Sequence, residues 1–336
     1  MRTPDLPAVF SRSQARALGV GDDRLTGLVR RGKISRLRHG MYAVCPSQAV
    51  APADRATRHL DCVRAALTHH SSGFVLSHLT ACALHGLPLP LSWSGVVELT
   101  AVDATQRSRS APGVRIHHAD STPTDLAHVG DLSVTTAART VADCLRTYDA
   151  RVSVPIADAA VRCGMASLLE IEAQLDRQRR WRGRPRAMES LKLVDGRRES
   201  WLESYAFVLF DEWGIEAPEP QVWVIDPLGQ PVGRVDGGWL ADATVLELDG
   251  TTKYGAVDGS EPPRPWLAEK VRYDRMGNLG LERVRLGLDD LRRGRAWVTR
   301  TVHDRRRVGS IERFSGTFRL TDPTGLRSCR VLDADR

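Results

Sequence analysis

The stretch Gly233–Lys253, GRVDGGWLADATVLELDGTTK, decides the fold of the C-terminal part of this chain. From Val232 to Gly237 the side chains alternate with a period of two, which is typical of a β-strand. The pair Gly237–Gly238 permits a bend, and the apolar run from Ala243 to Leu248 predicts a second, buried strand. The stretch therefore predicts two neighbouring strands joined by a short connection.

Three carboxylates lie on these two strands. Asp236 ends the first one, and Glu247 and Asp249 are two residues apart on the second, so those two share a face. Carboxylate oxygens suit Mg²⁺ or Mn²⁺, which can activate water and stabilise charge on a phosphate, and a lysine such as Lys253 would assist. The alternative is a solvated hairpin, since acids beside a turn glycine are common.

The segment from about residue 200 to 291 resembles the very-short-patch-repair-endonuclease-like branch of the PD-(D/E)XK nuclease superfamily. The matching pieces are Ser200-Trp-Leu-Glu203, Pro220-Gln221, Arg234-Val-Asp236, Glu247-Leu-Asp249-Gly250, Glu269-Lys-Val-Arg-Tyr-Asp274, the strand Glu282 to Leu286, and Asp289-Asp290-Leu291. The resemblance implies a restriction-endonuclease-like domain with a mixed central sheet that hydrolyses DNA phosphodiesters with Mg²⁺ or Mn²⁺.

The same resemblance implies roles for individual residues. It makes Asp236 and Glu247 metal ligands, Glu203 the helix acid, and Asp249 a further ligand or orienting group. Asp249 stands where the superfamily signature has a lysine, and Lys253 or Lys270 would have to substitute for it. The implied catalytic set is Glu203, Asp236, Glu247, Asp249 and Lys253.

Glu203 has a second interpretation that involves no chemistry. It lies three residues after Ser200, which is the spacing of a capping box at the start of a helix. One carboxylate cannot fill both roles at once, so the sequence leaves the two open.

The positive charge of the chain is concentrated at its N-terminus. The 336 residues carry a net charge of +7, and the first 44 hold nine Lys or Arg and three acids, a net of +6. A basic block on a small folded unit predicts a polyanionic partner, most simply nucleic acid. The alternative is a surface that serves solubility.

Residues 11 to 44 predict a winged helix-turn-helix. Ser11 to Gln14 form a capping box, Gly19 ends the first helix, and Asp22 caps a second helix that buries Leu25, Leu28 and Val29. A hairpin follows, and arginines on such a helix and wing reach bases and phosphates of duplex DNA. The predicted DNA-contacting residues are Arg24, Thr26, Arg30, Arg31, Lys33, Arg36, Arg38 and His39.

This N-terminal segment also resembles the AbiEi family of antitoxins and transcriptional regulators of type IV toxin–antitoxin systems. The residues that carry the resemblance are Ser13 to Gly19, Arg30 to Gly32, and Ile34 to Val44. It implies binding to a specific operator and a cognate toxin as a further partner, and it extends loosely to about residue 190.

The middle of the chain predicts a mixed α/β domain without a catalytic constellation. Two strands, Val96 to Val102 and Val114 to His118, are expected to pair as a hairpin. Eight histidines cluster in this half without metal-ligand spacing, so solvated or core-edge positions are expected. Thr135 is interpreted as a helix cap, and Arg139 as a surface arginine.

Six scattered cysteines without a C-x-x-C pair, and no long apolar run, predict a cytoplasmic protein without disulfides or membrane contact. The fold class is α/β multidomain. The predicted bounds are a winged helix over 1–45, a middle domain over 57–176, a basic linker over 177–190, an endonuclease-like domain over 191–300, and a tail of undecided structure over 301–336. The basic linker is interpreted either as a hinge that could also contact a phosphate backbone or as a solvated linker. Two functions follow: a DNA-binding regulator with an Mg-dependent endonuclease domain, or a regulator whose nuclease-like domain only binds nucleic acid or a toxin.

Overall fold

A computed structural model describes residue 6 and residues 9–31, 33–38, 40–44, 53–67, 73–102, 113–119, 122–249 and 264–323. The chain divides into two compact units, residues 1–148 with 165–188 and residues 149–164 with 189–336. The domain bounds read from the sequence stay predictions. Helix Ala150–Arg162, which the sequence places in the middle domain, is part of the second unit.

The first unit begins with a small module of two helices and three strands. Its elements are β1 (Val9–Ser11), α1 (Arg12–Ala17), α2 (Asp22–Arg30), β2 (Ile34–Arg38) and β3 (Met41–Val44). The sheet is antiparallel in the order β1-β3-β2. Ser11 and Gln14 form the predicted capping box. Leu25 and Leu28 are buried as expected, whereas Val29 is exposed and Gly21, not Asp22, caps α2.

The rest of the first unit is built on a five-stranded mixed sheet. Its elements are α3 (Ala53–Leu67), β4 (Phe74–Leu76), α4 (His78–Leu84), β5 (Val97–Ala101), β6 (Val114–His118), β7 (Leu126–Val129), β8 (Leu132–Thr135), α5 (Ala137–Thr147) and α7 (Leu168–Arg177). Between α5 and α7 the chain contributes residues 149–164 to the second unit. The strand order is β6-β5-β4-β8-β7. Strands β5 and β6 are parallel, so the predicted hairpin is wrong. A parallel pair needs a longer crossover than a hairpin turn.

The second unit contains α6 (Ala150–Arg162) and everything after α8 (Arg184–Leu191), the helix in which the chain passes between the units. Its elements are α9 (Trp201–Trp213), β9 (Glu219–Ile225), β10 (Pro231–Trp239), β11 (Thr244–Asp249), α10 (Arg264–Asn278), β12 (Glu282–Gly287), α11 (Leu288–Arg292), α12 (Arg295–Val308) and β13 (Thr317–Arg319). The strand order is β12-β11-β10-β9-β13, and only β11 and β12 are parallel.

Apolar side chains cover both faces of this second sheet. On one face Phe210 of α9 and Val298 of α12 pack with Leu246 of β11, and on the other Met276 of α10 packs with Val245. The sheet therefore lies between two layers of helices, because alternate residues of each strand face opposite layers.

The structure confirms an α/β multidomain chain with mixed sheets. Strands β10 and β11 lie within one or two residues of the predicted pair. In the stretch after residue 300, whose structure the sequence left open, α12 continues to Val308 and β13 then pairs with β9. Val298 and Val302 are buried against the sheet, and these tertiary contacts support a helix whose sequence is mostly basic.

Candidate functional site

The N-terminal module exposes the basic side chains that the sequence assigns to DNA, where the structure describes them. Leu25 and Leu28 anchor α2 to the module's core, and the other sides of the helix point to solvent. The exposed members of the predicted set are Arg24, Thr26, Arg30, Arg31, Lys33 and Arg36. Arg38 lies in β2, where only its backbone is described, and His39 lies outside the described residues.

The module's charge is not spread evenly over α1 and α2. Asp22 at the start of α2 accepts hydrogen bonds from Arg12 at 2.8 Å and Arg16 at 2.5 Å. The hydrogen bond from Arg16 is the main reason that the pKa of Asp22 is lowered. Two of the module's arginines are thus partly neutralised, and the positive charge is concentrated at the C-terminal end of α2 and on the hairpin.

Strands β10 and β11 bring Asp236, Glu247 and Asp249 into one region. The strands are antiparallel with Gly237 opposite Leu246, and the Asp236 carboxylate accepts a 2.6 Å hydrogen bond from the backbone N–H of Leu248. The pKa of Glu247 is raised to about 7, mainly by burial and also by the negative charges of Asp236 and Asp249, against the opposing effect of Arg272. Three of the predicted site residues are therefore near neighbours.

Two of these carboxylates form ion pairs with arginines. Arg272 of α10 lies 3.1 Å from Glu247, and Arg285 of β12 is paired with Asp249. Within the described residues, no group of three or more His, Cys, Asp or Glu side chains has the arrangement of a metal centre. The donor set suits a hard divalent cation, but such an ion would have to displace Arg272 and Arg285.

The Glu203 carboxylate does not complete the capping box that was one of its two interpretations. The Ser200 hydroxyl accepts from the Glu203 N–H at 3.1 Å, but the buried Glu203 carboxylate accepts from the Gln221 side chain at 2.7 Å and from the Glu199 N–H at 2.9 Å. Gln221 has φ of 55°, a left-handed conformation that is uncommon outside glycine. Lys253 lies outside the described residues, as does the side chain of Lys270.

A second polar cluster, in the middle of the chain, was missed by sequence reasoning. Glu98 of β5 is 2% exposed and accepts hydrogen bonds from Arg115, His117 and Tyr148. Burial alone would raise the pKa of Glu98, but the hydrogen bond from His117 and the contacts with His78 and Tyr148 lower it to about 2. The signal in the sequence was an acid inside an apolar strand, the same signal that singled out Glu247.

Arg139 lies in another buried network of ion pairs, so its assignment to the surface is wrong. It is 1% exposed and pairs with Asp125 at 3.1 Å and with Asp143 at 2.7 Å. Asp143 in turn accepts from Arg146 at 2.6 Å. Sequence periodicity missed the pairing with Asp125 because that residue lies in a one-turn 3₁₀ helix before β7.

Fold and site together describe a multidomain α/β protein with a basic N-terminal module and two regions of buried carboxylates. Residues 7–44 match the family described as "Transcriptional regulator, AbiEi antitoxin", so the resemblance to that family is confirmed for the N-terminus. The matched range covers β1 to β3.

Two curated mycobacterial proteins are similar over most of the chain. They are "Uncharacterized protein MT2308" and "Uncharacterized protein Rv2248" of Mycobacterium tuberculosis strains, each 27% identical over 79% of this chain and 89% of its own. The crystal structure of the RV2827C protein from the same species covers 60% of this chain and 77% of its own at 18% identity, with a TM-score of 0.37. That structural similarity is too weak to define the fold.

Membrane contact was not expected from the sequence. Among the described residues, no helix is both long enough and apolar enough to span a bilayer.

Proposed function

We propose that this protein is a DNA-binding transcriptional regulator and antitoxin of the AbiEi type. The best support is that the family match and the exposed basic residues fall in the same segment of the chain. The residues that match the family are those of the small module that exposes Arg24, Arg30, Arg31 and Lys33 around a buried Leu25–Leu28 stripe.

The module suits a duplex in both shape and charge. A winged helix-turn-helix would place α2 in the major groove and the β2–β3 hairpin against the backbone. Arginines at the C-terminal end of α2 would contact phosphates or guanine edges, and Thr26 would face the groove. Arg12 and Arg16 are already paired with Asp22, so they contribute less.

The test is binding to the DNA upstream of the protein's own gene. Fluorescence anisotropy would compare that fragment with a shuffled duplex of the same composition, using wild type, Arg30→Ala and Arg16→Ala. Both variants remove one exposed arginine, so net charge is matched. Tighter binding to the upstream fragment, lost in Arg30→Ala and largely kept in Arg16→Ala, supports the proposal. Equal affinity for both duplexes overturns it.

The antitoxin half of the proposal adds a toxin protein as partner. The family match supports it. Co-expression with the product of the adjacent gene should rescue cells from that product's toxicity. A neighbourhood without any toxic gene product contradicts this half while leaving DNA binding intact.

A second candidate function is Mg-dependent cleavage of DNA by the second unit. It is favoured by the proximity of Asp236, Glu247 and Asp249 and by the strand order β9-β10-β11-β12 with a parallel last pair. Asp236, Glu247 and Asp249 would hold the ion, which when bound would stabilise charge on a phosphate. Glu203 would orient Gln221 beside them.

Plasmid nicking separates this candidate from a purely regulatory domain. Supercoiled plasmid is incubated with Mg²⁺ and wild type, Asp236→Ala, or Asp289→Asn as a control for removal of an exposed carboxylate. Nicking by wild type and the control but not by Asp236→Ala supports cleavage. No nicking, or equal nicking by all three, leaves the regulatory function alone.

A further inference from the structure

The first unit contains a cavity of about 620 Å³ that neither the DNA-binding module nor the carboxylates of the second unit account for. Its polar lining includes His78, His117, His118, Arg146, Trp181 and Arg182. Two apolar side chains, Ala101 and Ile116, complete one side. The parallel strands β5 and β6 end here, at Ala101 and His118. In α/β sheets, ligands bind preferentially outside the carboxyl ends of parallel strands.

The lining of the cavity is basic. Among the residues that the structure describes, the lining includes two arginines and three histidines and no Asp or Glu. The pKa of His78 is lowered to about 4, mainly by burial, so this imidazole is neutral near pH 7. Arg146 and Arg182 carry permanent positive charge, and that of Arg146 is partly offset by its ion pair with Asp143.

The basic groups are positioned by a layer of buried partners. Glu98 holds the His117 ring at 3.2 Å, and that ring stacks on His78 with centroids 3.6 Å apart. His78 has φ of 51°, which is a strained conformation for a residue with a side chain. Residues held in such conformations by their surroundings cluster at binding and catalytic sites.

Hydrogen bonds and a ring contact also fix the position of the Arg146 side chain. Its guanidinium donates to Asp143 at 2.6 Å, to Gln178 at 2.6 Å and to the Arg182 carbonyl at 3.0 Å, and it lies over the Trp181 ring. These contacts join the end of α5 to the turn after α7. The side chain of Arg182 itself is exposed at the rim.

We propose that this cavity binds a small phosphate-bearing molecule of mononucleotide size. The phosphate would contact Arg146, Arg182 and the imidazoles, since guanidinium groups recognise phosphate through charge-assisted hydrogen bonds. The volume lies in the range of small-molecule sites. This site is separate from the DNA-binding module, so it stands whether or not that module binds an operator.

Isothermal titration of the full chain tests the proposal with adenosine monophosphate, adenosine and inorganic phosphate as probes. We expect the monophosphate to bind at least about tenfold more tightly than adenosine, and inorganic phosphate to compete with it. Arg182→Ala should weaken binding about tenfold. Arg180→Ala removes a neighbouring exposed arginine that does not line the cavity and should change nothing, as should Arg30→Ala in the DNA-binding module.

Several results would overturn the proposal. These are no binding of the monophosphate at millimolar concentration, equal affinity for adenosine, or equal weakening by Arg180→Ala and Arg182→Ala. If Arg182→Ala fails to fold, His118→Ala at the exposed end of β6 carries the same expectation. A final experiment compares the binding of DNA duplexes that have 5′-phosphate ends with that of duplexes that have 5′-hydroxyl ends. A preference for the phosphorylated end that Arg182→Ala abolishes would assign the cavity to a DNA end instead of a small molecule.

Discussion

The Tyr148 hydroxyl donates a 2.5 Å hydrogen bond to the carboxylate of Glu98, a residue fifty positions earlier in the chain. The bond joins the residue after α5 to the start of β5, in the mixed sheet of the first unit. Burial raises the pKa of Tyr148, and the negative charge of Glu98 raises it further. The phenol therefore stays protonated, and able to donate this hydrogen bond, above the ordinary titration range of tyrosine.

Removing either partner should destabilise the first unit. We expect Tyr148→Phe to lower the free energy of unfolding by about 1.5–3 kcal/mol, the usual contribution of a hydrogen bond to a charged group. In the Glu98→Gln background the same change should cost clearly less, because the charged acceptor is already gone. Urea unfolding of the four proteins measures the coupling. Additive effects would show that the two residues act independently.

Glu98 should also protect the fold against acid. Its pKa is lowered from 4.5 to about 2, so the folded state holds the charged form more strongly than the unfolded state does. The stability contributed by this ionisation is fully present above about pH 4.5 and is lost as the pH falls toward 2. The stability difference between wild type and Glu98→Gln should shrink through that window. A difference that is constant from pH 7 to pH 3 would contradict the assignment.

Gly183 should resist substitution more than Gly130, a glycine whose backbone is also left-handed. It has φ of 86°, and a Cβ there would lie 2.2 Å from the carbonyl oxygen of Arg146. Gly130 has φ of 60° with no atom within 4 Å of its added Cβ. Gly130→Ala should cost about 1 kcal/mol from the left-handed backbone, and Gly183→Ala should cost at least about 3 kcal/mol because the turn must also move. Thermal unfolding compares them, and equal losses would show that the close approach is unimportant.

Glu247 should reduce stability at alkaline pH. Its pKa is raised from 4.5 to about 7, so the folded state binds the proton more strongly and stability falls as the pH rises through that window. Glu247→Gln should therefore gain about 2–3 kcal/mol over wild type at pH 8 relative to pH 4. The exposed Asp289→Asn serves as control. If the site also takes a divalent ion, Mg²⁺ at pH 8 should stabilise wild type and not Glu247→Gln.

The salt dependence of DNA binding should report the contacts of the exposed arginines of α2. Each phosphate contact that is lost should reduce the slope of log affinity against log salt by about 0.9. We expect this for Arg24→Ala or Arg30→Ala, and a smaller change for Arg16→Ala, which is already paired with Asp22. Titrations at four salt concentrations measure the slopes. Identical slopes for all three variants would indicate that the arginines of α2 do not contact DNA phosphates.

Local patterns in the sequence determined much of this protein. The alternation from Val232 to Gly237 and the apolar run that Glu247 interrupts predicted β10 and β11 to within one or two residues. The capping box at Ser11 and the buried Leu25 and Leu28 likewise matched. These features depend on interactions between residues a few positions apart in the chain. Short stretches of sequence are therefore enough to predict them.

Only the tertiary structure decided which distant polar groups meet. Arg139 was expected at the surface, yet Asp125 and Asp143 neutralise it in the core. Strands β5 and β6 run parallel, which carries His117 beside Glu98 and opens the cavity at their carboxyl ends. Such pairings offset the cost of burying charge only when the whole sheet and its helices are assembled. The spacing of residues along the chain does not predict such pairings.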